Sequence, residues 1–181
     1  MSVTELLLDG LKLVKPKVFV DTRGFFLESY QKPFYEKLGI SMEFSQDNLV
    51  FSKEKVIRGM HLQIEPGQDK LVYVVQGEIL DVAVDIRPKS PTFGKYHAEV
   101  LNDENHHQLF IPNGFAHGYC VLSKSAYVAY KVSNVYIPDK EISFKYDDPS
   151  VNIEWPVTDP IISEKDQRSL PFDEIDFNKW F

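Results

Sequence analysis

The chain has 181 residues, 43% of them hydrophobic and 26% charged, with a formal net charge of -7. That balance fits one globular domain spanning 1–181 and excludes a disordered or fibrous chain; it also argues against a nucleic-acid surface, which needs a basic face. Cys120 is the only cysteine, so neither an intramolecular disulfide nor a cysteine-based zinc site is expected, and a cytoplasmic location is.

In chain order, Leu6-Leu7-Leu8 is broken by Asp9 and Gly10, too short a run for a secretory or membrane-spanning segment. DTRGFFLES then sets Arg23 and Glu28 around a turn at Gly24. One helix is predicted next: Pro33 suits its first turn, Tyr30, Phe34 and Leu38 recur at i, i+4 and i+8, and Gly39 can cap its end. After Gln46-Asp47-Asn48 comes VIRGMHLQ, where a β-branched pair suited to a sheet gives way at Gly59 to a polar cluster. Leu71–Val75 and Ile79–Ile86 read as strands turning at Gln76-Gly77. In the second of these, Leu80, Val82, Val84 and Ile86 share a greasy face, and Asp81, Ala83 and Asp85 a polar one.

Leu109–Ile111, Tyr119–Leu122 and Ala126–Val132 continue the pattern, punctuated by Pro88, Pro91, Gly94, Pro112, Gly114 and Pro138. Many short strands at this spacing predict a mainly β barrel or sandwich. From Asp147 onward the chain is acidic and proline-interrupted, with a short helix predicted after Ser163.

His61 and His117 each stand near a glycine at a strand end, which raises a metal site first. Cupin barrels often ligate a metal through His-x-His and a glutamate in one motif and a histidine in the next. Pro112, Gly114 and His117 suit the second motif, but Gln63 stands two places after His61, and Glu65 would have to complete the set. Two histidines and one ill-placed carboxylate make a poor first-row metal site, so no metal is expected.

VIRGMHLQ, a lysine soon after it, GEILDVAVDIRPKSPTFG, IPNGFAHG, YKVSNVYIP and WPVTDPIISEKD occur in that order. Together they resemble the dTDP-4-dehydrorhamnose 3,5-epimerase family, from about residue 5 to residue 172. The resemblance implies a cupin-type jelly-roll barrel, a homodimer, no cofactor, and a dTDP-4-keto-6-deoxy sugar as substrate. It implies His61 as base, Asp166 as the carboxylate that orients it, Lys70 as stabiliser of the enolate oxygen and Tyr130 as proton donor.

Each of these roles is chemically apt. An imidazole titrates near neutral pH, a carboxylate on one ring nitrogen fixes its tautomer, and a phenol stays protonated until it meets a carbanion. The resemblance further implies Arg23 and Arg58 on the diphosphate, His117 beside the sugar and Tyr136 stacked on thymine. Glu28, Gln46, Asp47, Asn48, Glu141 and Lys165 fall at other binding positions. Leu62, where an aromatic is usual, and Val135, where a tyrosine is common, depart from the pattern. They bear on nucleotide preference and on which carbon is inverted.

Without the resemblance, plainer readings stand. His61 would be a hydrogen-bonded structural histidine, Tyr130 a core tyrosine, Lys70 a surface partner of Asp69, and Arg23 a turn partner of Asp21. His97, His106 and His107 are expected in solvent, and Cys120 in the core. The rival functions are a sibling epimerase acting at one carbon or on another nucleotide sugar, a non-catalytic sugar-nucleotide binder, and a metal-dependent cupin.

Overall fold

A computed structural model describes residues 1–181. Strands β1 (Ser2–Glu5), β2 (Lys12–Lys15), β3 (Val18–Asp21) and β4 (Gly24–Leu27) precede helix α1 (Lys32–Lys37). Then follow β5 (Gln46–Lys53), β6 (Ile57–Gln63), β7 (Lys70–Gln76), β8 (Glu78–Asp85) and β9 (Tyr96–Asn102). Four more strands, β10 (Gln108–Ile111), β11 (Phe115–Val121), β12 (Ser125–Val132) and β13 (Glu141–Ser143), lead to helix α2 (Glu164–Gln167).

Two antiparallel sheets face one another, one in the order β1-β2-β10-β7-β12-β5 and the other β13-β6-β11-β8-β9; β3 and β4 form a separate hairpin. The period-2 rule decides what lies between the sheets. Leu13, Val72, Val74, Leu109, Ile111, Ala126 and Val128 point inward from the first, against Ile79, Ala83, Phe115, Tyr119 and Val121 from the second. Each such side chain contributes roughly 1.5–3 kcal/mol by leaving water.

Both sheets are also covered outside. Met60, Leu62, Val82, Val84 and Ala116, of opposite parity, pack under Phe144, Val151, Ile153, Phe172, Ile175 and Phe177. Hence β8 is buried on both faces, and the polar face predicted for it lies inside the barrel: Asp81 and Asp85 are both fully buried. On the other sheet, Val14, Leu71 and Phe110 pack against Tyr35 and Ile40.

Helix α1 carries Pro33 in its first turn, and Gly39 follows at φ +76. Its fully buried residue is Tyr35, outside the expected 30/34/38 stripe, because the Tyr35 hydroxyl donates to Gln108 Oε1 at 2.5 Å inside the packed layer. The predicted solvent exposure of three histidines also needs correcting. His97 is 3.2 Å from Glu99, His106 stacks on Phe25 with ring centroids 4.5 Å apart, and His107 Nδ1 is buried without a partner. Cys120 is fully buried, as expected. No helix is long and apolar enough to cross a membrane.

Candidate active site

One end of the barrel interior is left unfilled, as two connected cavities. The outer lobe, of about 230 Å³, is lined by Gln46, Asn48, Lys70, Tyr136 and Glu141 among others. The inner lobe, of about 190 Å³, takes Arg58, His117, Gly118 and Tyr119. His61, Lys70 and Tyr130 belong to both lobes and stand where they meet.

Arg58 and His61 are three residues apart, so a regular strand would turn them to opposite faces. Gly59 resolves this. Its φ is +125, and the β6–β11 register shifts between His117 and Tyr119, so both side chains reach the cavity. Gly59 and Gly118 also let the two strands approach closely, since a Cβ on Gly59 would lie 2.6 Å from Gly118 Cα.

His61 Nε2 is 2.6 Å from Asp166 Oδ1, joining residues 105 positions apart; no protein group bonds Nδ1. Asp166 arrives on α2, whose cap is Ser163: its hydroxyl accepts from the Asp166 N–H at 3.1 Å. Burial pushes the Asp166 carboxyl up, but bonds from His61, the Ser163 side chain and the Gly59 backbone, with the His61 charge, bring it below its usual range. Burial likewise works against Glu141, which Lys165, His61 and Tyr136 together hold low.

Lys70 is buried, so the plainer reading of a surface pair with Asp69 fails; Asp69 instead accepts from the Asn113 N–H at 3.1 Å. Burial lowers the Lys70 ammonium to about 8, against the pull of Glu141 and Asp81. Tyr130 projects inward from β12, its phenol pushed up chiefly by burial. His117 Nε2 lies 2.9 Å from Asp81 Oδ2, and burial lowers its imidazole despite that carboxylate. Arg58 Nε donates to Ser52 Oγ at 3.0 Å, and Ser52 in turn lies 3.1 Å from the Tyr119 hydroxyl.

The outer wall is tied by amides. Gln63 Oε1 accepts from the Ile137 N–H at 2.8 Å, and Gln46 Oε1 from the Tyr136 N–H at 2.9 Å, which fixes the loop carrying Tyr136. Lys165 donates to Glu141 across the mouth at 2.5 Å.

Four expected binding residues line neither lobe, and one of them, Lys165, touches the site through its bond to Glu141. Asp47, flanked on β5 by inward Gln46 and Asn48, points outward and accepts from Lys131 at 2.8 Å. Arg23 and Glu28 are exposed, Arg23 on the β3–β4 hairpin with its guanidinium paired to Asp21 at 2.6 Å. The sequence reading in turn overlooked Asp81, Gln63, Ser52 and Tyr119. Inward parity beside Ala83 was the one signal for Asp81.

No group of three or more His, Cys, Asp or Glu side chains is arranged to hold a metal ion, and Glu65 pairs with Lys140 at 3.2 Å. The facing sheets and their lined end define a cupin-type jelly-roll barrel with an acid–base pocket. The chain belongs to the dTDP-4-dehydrorhamnose 3,5-epimerase family, whose model matches residues 5–174. An enzyme of that name from Shigella flexneri is 49% identical over 98% of this chain and 99% of its own. The crystal structure of a dTDP-6-deoxy-D-glucose-3,5-epimerase from Legionella pneumophila, bound to dTDP-4-keto-L-rhamnose, superposes with a TM-score of 0.95 at 44% identity, covering 99% of this chain and 96% of that one. A 3'-monoepimerase from Streptomyces bikiniensis, in complex with dTDP-quinovose, has a TM-score of 0.86 at 29% identity, covering 92% and 85%.

Proposed function

We propose that this chain is an isomerase that converts dTDP-4-dehydro-6-deoxy-D-glucose to dTDP-4-dehydro-L-rhamnose by inverting C3 and C5 beside the C4 ketone. A base removes hydrogen next to the ketone, the enolate carries its charge on the C4 oxygen, and an acid returns a proton to the opposite face. These steps balance in protons and electrons without a cofactor.

His61 takes the proton through Nδ1, because Asp166 occupies Nε2. The Lys70 ammonium faces the developing oxyanion. Tyr130 supplies the returning proton, which its raised pKa keeps in place at neutral pH. The observation that carries this reading is the His61–Asp166 bond on a cavity that also holds Lys70 and Tyr130.

Tyr136 stacks on thymine, while Gln46, Asn48, Glu141, Lys165 and His117 meet the nucleotide and sugar. Arg58 takes a phosphate oxygen, for which a guanidinium fork is suited. Asp47 contributes through its backbone, its side chain being on the other face. Arg23 and Glu28 act in a homodimer, where the exposed β3–β4 hairpin of one copy reaches the cavity of the other. The enzyme works in the cytoplasm.

Incubation with dTDP-4-keto-6-deoxyglucose in heavy water, followed by NMR, tests the reading. Deuterium at both C3 and C5 is expected. Exchange at one carbon alone selects the monoepimerase reading, which the likeness to the Streptomyces bikiniensis enzyme favours. Tight binding without exchange selects a binding protein.

A further inference from the structure

We propose that Asp81 is a positioning residue for this reaction: it fixes His117 as the Nε2–H tautomer, which turns Nδ1 into an acceptor for a sugar hydroxyl, and it supplies buried negative charge that keeps Lys70 an ammonium. The inference rests on the epimerase reading above.

Asp81 is fully buried at the centre of β8, and its two carboxylate oxygens lie 3.1 and 2.9 Å from His117 Nε2. A carboxylate only accepts, so the shared proton belongs to the imidazole Nε2. Nδ1 then carries the lone pair. It takes no bond from the protein, and His117 lines the inner lobe, so the acceptor is free for a ligand hydroxyl. On the pyranose ring of the proposed substrate, the hydroxyls at C2 and C3 are such donors.

The second half concerns charge. Around Lys70 on β7 stand Arg58 and His61 from β6, His117 and Tyr119 from β11, Tyr130 from β12, Glu141 from β13 and Asp81 from β8. Arg58 is cationic, and His61 becomes so once it takes a proton. Glu141 is shared with Lys165, and Asp166 is committed to His61. Glu141 exerts the larger upward pull on Lys70 and Asp81 adds to it; of the two, Asp81 is the fully buried one and has no cationic partner of its own.

Two measurements test this. In the wild-type protein, ¹⁵N NMR of the imidazoles, with the His117 signal identified by its loss in His117→Asn, should show neutral His117 protonated at Nε2 from pH 6 to 8. An Nδ1–H tautomer or an imidazolium at pH 7 overturns the proposal, and this arm needs no folded Asp81 variant.

In Asp81→Asn, turnover at pH 7 should fall about ten- to a hundredfold. The alkaline limb of kcat should also move to lower pH by at least about half a unit, as loss of a neighbouring anion requires. A uniform loss at all pH values with the limb in place assigns Asp81 a merely structural role and overturns the proposal. Wild-type exchange in heavy water is the control: its absence would sink the epimerase reading itself, whereas its presence with an unmoved limb sinks only this one.

Discussion

His61 and His117 stand directly opposite one another across the β6–β11 pair, and each imidazole is bound through Nε2 to a buried carboxylate, Asp166 and Asp81 respectively. Access separates them: the His61 side chain is 28% exposed and that of His117 8%. The more open one is the proposed base. His61→Ala should lower exchange at both carbons by about 10²–10⁴-fold. Asp166→Asn should cost about as much, because an amide donating to Nε2 moves the imidazole proton to Nδ1, where the substrate hydrogen must go. Heavy-water exchange rates decide both, and normal turnover in His61→Ala would remove its assignment.

Tyr130→Phe keeps the ring in the barrel wall and deletes the donor. Substrate hydrogen should still wash out at a rate near that of the wild type, while inversion falls by about 10²-fold or more. Equal loss of exchange and inversion would instead make the hydroxyl part of the abstraction step.

Lys70, as the proposed oxyanion partner, should set an upper pH limit on activity. With its ammonium lowered to about 8 by burial, kcat/KM should decline above that pH as the oxyanion partner loses its charge. Stability should move the other way. Between about 8 and the ordinary 10.5 the unfolded chain binds the proton and the folded one does not, so this group makes stability rise with pH across that window. Lys70→Met should abolish turnover, remove that rise, and stabilise the fold at pH 7 by about 1–3 kcal/mol. Urea titrations at pH 7 and 10 of both proteins measure it.

Gly59→Ala tests the strand geometry. A Cβ there would sit 2.6 Å from Gly118 Cα and 2.9 Å from the His117 carbonyl oxygen, at φ +125. The substitution should cost about 2–4 kcal/mol and displace the Arg58 and His61 side chains together. A melting temperature and a turnover both near wild type would show that β6 can relax without its glycine.

The hairpin tests the proposed homodimer. Phe19, Val20, Phe25 and Phe26 are all exposed on it, more apolar surface than a hairpin keeps in water without a partner. Replacing Phe19 and Phe26 by serine should shift sedimentation toward the monomer and lower turnover, because Arg23 and Glu28 would no longer reach a neighbouring cavity. Activity in a purely monomeric variant would assign both residues elsewhere.

Alternation made β7, β8, β10 and β12 legible in the sequence, each within a few residues of its observed ends. β11 begins four residues before the predicted Tyr119, because Phe115-Ala116-His117-Gly118 reads as a loop motif while lying buried between two neighbouring strands. β1, β3 and β4 are largely exposed and carry no inward stripe to read. In the site, the local pair Arg58 and His61 was visible, but joining His61 to Asp166 came only through the family resemblance. Asp81 escaped because an inward carboxylate in an apolar strand looks like a solvent-facing one until the second layer over β8 is known.

The segment that caps the outer face of the β13-β6-β11-β8-β9 sheet also carries Asp166, downstream of every barrel strand. Synthesis runs from the N-terminus, so on the ribosome His61 on β6 is made well before the strand and the outer layer that complete its sheet. Competence arrives only when residues 141–167 emerge and dock. A premature stop just after β12 would remove β13, the outer apolar layer of that sheet and Asp166 together, so fold and proposed chemistry would be lost with one segment.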